Sequence, residues 1–287
     1  MSRIIYVDGQ YLPAHRARVS VFDRGFLFAD SIYEVVTVYN GKLIDEAAHL
    51  ERLERSASHI ALSLPTAARA LKVIMRQVLA ANRLTNGMIY MQVTRGSAPR
   101  DHAFPANAKP TLAVMAKRLD FTALFERAKI GVAALSQPDT RWDNCHIKTT
   151  GLLPNVLAKQ AAKEAGSYEA IFIDAHGNVT EGSSTNIWMV DAGGTLVTRP
   201  LDAHILGGIT RQRTLKLAQG LQITVRERAF SLQDAAQAAE MFLTSATGCV
   251  TPIPRLDGKP IAGGMPGPVS LKLHAAYKAF MEASPSA

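Results

Sequence analysis

Two dipeptides, Asp8-Gly9 and Asn40-Gly41, restrict the first third of this chain more than any other feature, because each lies between runs of strand-forming residues. In a two-residue loop such pairs adopt the positive-φ turn whose twist matches the flanking strands, so each predicts a β-hairpin. The first hairpin covers residues 4–12. The second joins 32–39 to Lys42-Leu43-Ile44. Period-two alternation places Tyr33, Val35 and Thr37 on one face of that strand and Glu34, Val36 and Val38 on the other.

Beyond Ile44 the apolar period lengthens. Leu50, Leu53, Ala57, Ile60 and Leu64 recur at three and four, which predicts a helix over 45–62, with Arg52 and Arg55 off its apolar stripe. A second helix over 66–82 would bury Leu71, Ile74, Met75, Val78 and Leu79. Strands follow at 88–94 and 111–116, separated by a polar, proline-bearing loop too long to be a mere connector. After a linker near 117–127, strands are expected at 130–135, 145–147, 170–173, 186–190, 196–198, 222–227, 241–244 and 250–256. Helices are expected from Pro154 to about 164, over 210–218 with Gly220 as its C′ residue, and over 266–282. Strands and helices mix without the regular βαβ alternation of a nucleotide-binding sheet. The expectation is a mixed α/β (α+β) chain of two domains, 1–118 and the larger 119–287.

Bulk properties exclude several function classes. The net charge is +8, but Lys and Arg are scattered among acids, with no basic block, zinc spacing or RNP-like aromatic run, so no nucleic-acid partner is expected. The charge suits anionic small molecules or simple solubility. No run of about 18 apolar residues is present, so no membrane span is expected. The first residues enter a strand and turn without a signal-peptide core, and Cys145 and Cys249 form neither a disulfide framework nor a metal spacing. A cytoplasmic location and no metal are the corresponding expectations.

Four stretches have residues suited to chemistry. Lys148 follows Cys145-His146-Ile147, read as a short strand, and precedes a helix start at Pro154. It would share a face with His146, held by scaffold on both sides. A rigid amine is what Schiff-base chemistry requires, although most lysines are solvated surface charges. Glu181, after Val179-Thr180, reads as a solvated hairpin glutamate, although the small residues and hydroxyls of Gly182-Ser183-Ser184-Thr185 would let a backbone come close to a flat ring. Gly207-Gly208-Ile209-Thr210 precedes a helix whose free N–H groups suit an anion. Pro99 and Pro105 favour an extended course in which Arg100 and His102 face one way with Asp101 turned aside. That pattern suits a carboxylate, or is only a polar surface loop.

Several strings, in order along the chain, carry a resemblance: Asp23-Arg24-Gly25-Phe26, Ser31-Ile32-Tyr33-Glu34-Val35-Val36, Gln92-Val93-Thr94-Arg95-Gly96, Ile147-Lys148, Thr180-Glu181-Gly182-Ser183-Ser184-Thr185-Asn186 and Gly208-Ile209-Thr210-Arg211. With them the chain resembles, almost end to end, the class-IV, fold-type-IV pyridoxal-phosphate enzymes, and among these the D-amino-acid (D-alanine) aminotransferases. The resemblance implies a two-domain fold with pyridoxal 5'-phosphate between the domains. Lys148 would carry the cofactor aldehyde and move the proton between Cα and C4′, and Glu181 would face the ring nitrogen. Ile209 and Thr210 would hold the phosphate, with Ser245 and Ala246 in a second phosphate loop. Ala246 stands where close relatives have a hydroxyl, leaving only its N–H to make that contact. Leu206 would pack on the ring. Arg52 matches the phosphate arginine, whereas the periodicity alone reads it as a surface charge. Arg100 and His102, with Tyr33, would hold the substrate carboxylate, the loop reaching into the partner subunit of a homodimer. Ala29 and Ser31 stand where relatives often have glycine, which bears on substrate size.

The implied reaction is transamination between a D-amino acid and a 2-oxo acid such as 2-oxoglutarate. Alternatives on the same fold are a branched-chain L-amino-acid or (R)-amine transaminase and a 4-amino-4-deoxychorismate lyase. A silent vitamin-B6-binding protein is disfavoured by the joint presence of the lysine, the glutamate and the helix cradle.

Overall fold

Both two-residue turns form where the sequence places them. In the computed structural model, which describes residues 3–284, Asp8 and Gly9 have φ of 45° and 92°, and Asn40 and Gly41 of 49° and 77°. Such pairs of positive values are what a type I′ turn requires. They join β1 (Ile4–Val7) to β2 (Gln10–Pro13), and, beyond the short helix α1 (Arg24–Phe28), β3 (Ser31–Tyr39) to β4 (Lys42–Leu43). With β5 (Gly87–Thr94) and β6 (Thr111–Arg118) these strands make a six-stranded antiparallel sheet in the order β2-β1-β6-β5-β3-β4. Helices α2 (Glu46–His59) and α3 (Ala68–Asn82) bury Leu50, Leu53, Ala57, Leu71, Met75 and Val78 in one core with Val36, Val38, Ile89 and Met91 of the sheet. The expected stripe of α3 is buried throughout, whereas of that expected for α2 Leu50, Leu53 and Ala57 are buried and Ile60 and Leu64 lie beyond the helix end, partly buried. This compact unit runs to Asp120 and also takes in Ile147–Gly151.

The second unit comprises Phe121–His146 and Leu152–Ala283. Its elements are α4 (Phe121–Ile130), β7 (Ala133–Pro138), α5 (Leu153–Glu164), β8 (Glu169–Ile173), β9 (Val179–Gly182), β10 (Asn186–Val190), β11 (Leu196–Thr198), α6 (Ile209–Gly220), β12 (Val225–Glu227), α7 (Leu232–Ala236), β13 (Glu240–Ser245), β14 (Cys249–Pro252), β15 (Arg255–Leu256), β16 (Lys259–Pro260) and α8 (Pro268–Ala283). They form two five-stranded sheets, β12-β11-β10-β13-β14 and β16-β15-β7-β8-β9. Residues of both sheets, among them Ala134, Ile171, Ile187, Met189, Val197 and Leu243, share one core.

Four local expectations are corrected. The supposed linker holds α4, which buries Phe121, Leu124 and Ala128 at helical spacing. Residues 145–147 are a turn and bend rather than a strand, so Lys148 is not placed by alternation with His146. Gly220 is the last residue of α6, and the left-handed residue beyond it is Gln222, with φ 57°. Helix α7 lies in an unassigned stretch and opens with a capping box, Ser231 Oγ accepting from Asp234 N and Asp234 Oδ2 from Ser231 N.

Candidate active site

In the first unit Lys148 is held by its neighbours' backbones. Tyr33 N donates to Lys148 O at 3.0 Å, Thr150 N to Ser31 O at 3.3 Å, and Ile32 and Thr149 form an antiparallel bridge. Lys148 N donates to Ser56 Oγ of α2 at 3.3 Å. The segment is therefore laid as one extra rung against the start of β3. Its side chain brings Nζ to 4.2 Å from the centroid of Tyr33, a cation–π placement. Tyr33 in turn stacks on Tyr90 at 5.5 Å, and burial pushes the Tyr90 phenol up to about 12.

The opposite face of β3 has a charge where alternation calls for a core residue. Glu34 is fully buried and receives Arg52 Nε at 2.7 Å on Oε1, with Arg52 Nη2 at 2.8 Å and His49 Nδ1 at 2.7 Å on Oε2. Burial opposes ionisation of Glu34, but the Arg52 fork outweighs it and holds the carboxyl far below its usual range. Burial likewise depresses His49 against the pull of Glu34. Arg52 is thus a buried, paired residue and not the surface charge its periodicity suggested.

Ala29 adopts φ 53°, which accounts for glycine being the easier residue there. Ser31 does not project freely. It is fully buried, its hydroxyl bonds Thr150 Oγ1, and it accepts from Gln92 Nε2 at 3.4 Å. In the 97–110 loop Arg100 and His102 are both exposed and both lie beside Phe28. The Arg100 guanidinium is 5.2 Å from that ring's centroid and the His102 ring 5.4 Å. The loop bends at 99–100 and 102–103 instead of running extended, so their common facing comes from packing on Phe28. Asp101 turns back onto Ala103 N at 3.2 Å.

The second unit gathers the remaining candidates. Glu181, on β9, is buried. Its Oε1 meets Arg141 Nη1, while Oε2 accepts from Leu206 N at 3.0 Å and Asn186 Nδ2 at 3.2 Å. Arg141 also forks onto Asp139 at 2.8 and 2.9 Å, and Thr180 Oγ1 donates to Asp139 at 2.7 Å. Burial opposes the ionisation of both partners, but their mutual bonds lower Asp139 and raise Arg141. Two carboxylates on one guanidinium leave the group one negative charge in excess. A cation placed at Glu181 would balance it.

Asn186 links this carboxylate to the helix start. Its Nδ2 also donates to Leu206 O at 2.8 Å, and a Cβ on Gly208 would stand 2.1 Å from its Oδ1, so only glycine fits as the N-cap of α6. No side chain caps α6 and its first turn holds no acid, leaving the N–H groups of that turn directed outward beside Thr210. Asn186 also pairs across the sheet with Thr244, directly before Ser245 and Ala246. Their turn is closed by Gly248 N donating to Ser245 Oγ at 2.9 Å.

These residues fit pyridoxal phosphate. An uncapped helix N-terminus with adjacent hydroxyls suits a phosphate, and a buried carboxylate in a group with negative charge in excess suits a protonated ring nitrogen. The Thr185 hydroxyl, in the turn that follows β9, is buried and has no hydrogen-bond partner among the described residues.

Comparison with known proteins agrees. The family model for amino-transferase class IV matches residues 31–256. A D-alanine aminotransferase of Staphylococcus haemolyticus is 36% identical over 283 residues, 98% of this chain and 99% of that protein. The branched-chain amino acid aminotransferase of Escherichia coli superposes with a TM-score of 0.91 at 25% identity, covering 99% of this chain and 97% of that one. A hypothetical aminotransferase from Mycobacterium tuberculosis, solved in its PLP-bound form, superposes at 0.83 with 21% identity, covering 97% of this chain and 98% of that one. The chain belongs to the class IV aminotransferases, with their fold-type-IV architecture, and is an enzyme of that family.

Sequence reasoning did not find Arg141, Asp139, Asn186 or the pair Glu34–His49. Glu34 carried a usable signal, a charge in register with Val36 and Val38 on the core face. Arg141 and Asp139 have no such pattern, because a loop aims them. Among the described residues no helix is long and apolar enough to cross a membrane.

The thiols give an accessible test of the electrostatics. Burial, reinforced by Glu181 and Asp139 against the pull of Arg141, lifts Cys145 to about 11, and burial alone lifts Cys249 to about 12. Only about a thousandth of Cys145 is then thiolate at pH 8, so both thiols should react sluggishly with an aromatic disulfide reagent until the protein unfolds. Prompt reaction of one thiol in the folded enzyme would contradict this.

Proposed function

We propose that this enzyme is a pyridoxal 5'-phosphate-dependent D-amino-acid aminotransferase that moves the amino group of a D-alanine-type donor to a 2-oxo acid such as 2-oxoglutarate. It would work as a cytoplasmic homodimer. The observation that carries the reading is the mounting of Arg100 and His102 on the same ring, Phe28, with Asp101 turned aside. The Staphylococcus haemolyticus relative, similar over nearly its whole length, supports the substrate class. The PLP-bound form of the Mycobacterium tuberculosis structure supports the cofactor. Val21, Phe22 and Phe26 are exposed, and Phe22 O accepts from Ala98 N of the loop, which supports a second subunit covering this surface. The domain division 1–118 and 119–287 belongs to the same reading, the larger domain holding the phosphate.

When bound, the cofactor supplies an aldehyde for the amino group and a ring that draws electrons from Cα. Lys148 would hold that aldehyde through Nζ and, once released by the substrate amine, take the proton from Cα and return it at C4′. Its backbone, tied to Tyr33 and Ser56, fixes where the amine starts. Glu181, in a group with one carboxylate charge in excess over Arg141, would keep the ring nitrogen protonated. Ile209, Thr210, Ser245 and Ala246 would bind phosphate oxygens, the last through its N–H, with Arg52, oriented by its fork to Glu34, adding a donor. Leu206, whose main chain bonds both Glu181 and Asn186, would lie against the ring.

Arg100 would fork both oxygens of the substrate carboxylate and His102 add a third bond. Replacing Arg100 with Leu should raise KM for D-alanine by the equivalent of about 2–5 kcal/mol, the usual cost of losing one side of a desolvated charge contact. An amine without a carboxylate, such as (R)-1-phenylethylamine, should be barely affected. Steady-state kinetics with D-alanine, L-leucine and that amine as donors check both points. Preferred turnover of L-leucine would move the assignment to the branched-chain enzymes.

A further inference from the structure

Arg100 and His102 are exposed, but the loop that carries them is fastened to a buried ionic cluster. Asp30, between α1 and β3, places Oδ2 at 2.7 Å from Arg24 Nε and 2.8 Å from Arg95 Nε. Both arginines are buried, and both direct their other donors at main-chain carbonyls. Arg24 reaches Asp101 O at 2.6 Å and His102 O at 3.2 Å. Arg95 reaches Ile60 O at 2.7 Å and Ala61 O at 3.0 Å, beyond the end of α2, and stacks 3.6 Å from the centroid of Phe104. The loop is thereby gripped at 101, 102 and 104, on and beside the residues that present the two cationic side chains.

The local chain is built for this grip. Asp23 caps α1 by accepting from Gly25 N at 2.8 Å and also receives Thr94 Oγ1 at 2.8 Å, so the helix bearing Arg24 is pinned to the end of β5. A Cβ on Gly25 would come within 2.4 Å of Thr94 Cγ2, and one on Gly96, at φ 90°, within 1.9 Å of Lys109 O. Gly25 thus permits the close seating of α1 on the end of β5, and Gly96 the approach that brings the two ends of the loop together. Burial would oppose ionisation of Asp30, but the bonds from Arg95 and Arg24 lower its pKa below the aspartate norm. Two guanidinium groups against one carboxylate leave the cluster a net positive charge, which favours an anionic group near the loop.

We propose that Asp30, acting through Arg24 and Arg95, is the positioning residue of the substrate-carboxylate clamp. It sets the main-chain course of 101–104 and with it the directions in which Arg100 and His102 offer their donors. This inference rests on the clamp role assigned above to those two side chains. Asp30 touches neither substrate nor cofactor in this reading.

The test compares Asp30→Asn, Arg24→Lys and Arg100→Leu holoenzymes. Asp30→Asn keeps the shape but removes the charge that holds two guanidinium groups, and Arg24→Lys keeps a charge beside Asp30 but cannot fork onto two carbonyls. Each should raise KM for D-alanine and for pyruvate about tenfold to a hundredfold, the penalty of displacing a binding group by roughly an ångström. The cofactor absorption without substrate and kcat should be little changed, and propionate, titrated as a competitive ligand, should weaken by the same factor as D-alanine. A role in general stability would instead lower the melting temperature and kcat, or release cofactor, without that split, and such a result overturns the inference. If Arg100→Leu raises KM while both positioning variants leave it at the wild-type value, the clamp stands and Asp30 has no part in it. If Arg100→Leu itself changes nothing, the clamp reading fails first. Should Asp30→Asn not fold, the KM and propionate results for Arg24→Lys decide the matter.

Discussion

Lys148→Ala is expected to abolish transamination while leaving the fold in place. The loss should be about 10⁴-fold or more, since in the proposed mechanism one side chain would serve as both the amine that holds the cofactor and the base that moves the Cα proton. The structural cost is small because the bonds that fix this segment are main-chain ones. Tyr33 N to Lys148 O and Lys148 N to Ser56 Oγ survive in alanine. What disappears is the amine over the Tyr33 ring, worth about 0.5–1 kcal/mol at an accessible site. Thermal melting of wild type and variant, alongside turnover with D-alanine, separates the two effects. Borohydride reduction and peptide mapping should place the cofactor on Lys148, and finding it on another lysine would remove the foundation of the mechanism.

Glu181→Gln should leave the cofactor bound and slow turnover by about two to three orders of magnitude, the scale lost when one pre-aimed charge-stabilising group is removed. An amide can still bond Leu206 N or a ring nitrogen, but it does not favour the protonated ring. The charge count makes the expectation sharper. In the wild type Glu181 and Asp139 outnumber Arg141 by one, and in the variant Asp139 and Arg141 balance, leaving nothing to attract a cationic ring. Arg141 keeps its fork to Asp139, so it is not stranded as a buried charge, and the protein should remain folded. Single-turnover kinetics with D-alanine check the rate, and retention of the cofactor spectrum checks occupancy. Near-normal turnover would show that Glu181 does not face the ring nitrogen.

The difference between what the sequence revealed and what it hid has a physical basis. The hairpins at Asp8-Gly9 and Asn40-Gly41 were legible because only a few dipeptides adopt two successive positive φ values. The stripes of α2 and α3 were legible because apolar residues recur at three and four. The 145–147 segment misled because three residues carry too little periodicity to distinguish a strand from a turn. Lys148 is instead fixed by bonding to β3, a contact between residues more than 100 positions apart. Arg52 was misplaced for a related reason. Off the apolar stripe a charge normally faces water, and only the buried Glu34 facing α2 gives it a place inside. Loop-borne groups such as Arg141 and Asp139 are aimed by tertiary structure alone, and no local pattern announces them.

The central claim, that Lys148 holds a cofactor which accepts amino groups from D-amino acids, is most directly tested in the half-reaction. Purified holoenzyme is mixed with D-alanine or with L-alanine, without a 2-oxo acid, and the visible absorption of the lysine-held cofactor is followed. D-alanine is expected to discharge the band, pyruvate then to restore it, and L-alanine to leave it unchanged. Discharge by L-alanine or L-leucine with no response to D-alanine would contradict the claim.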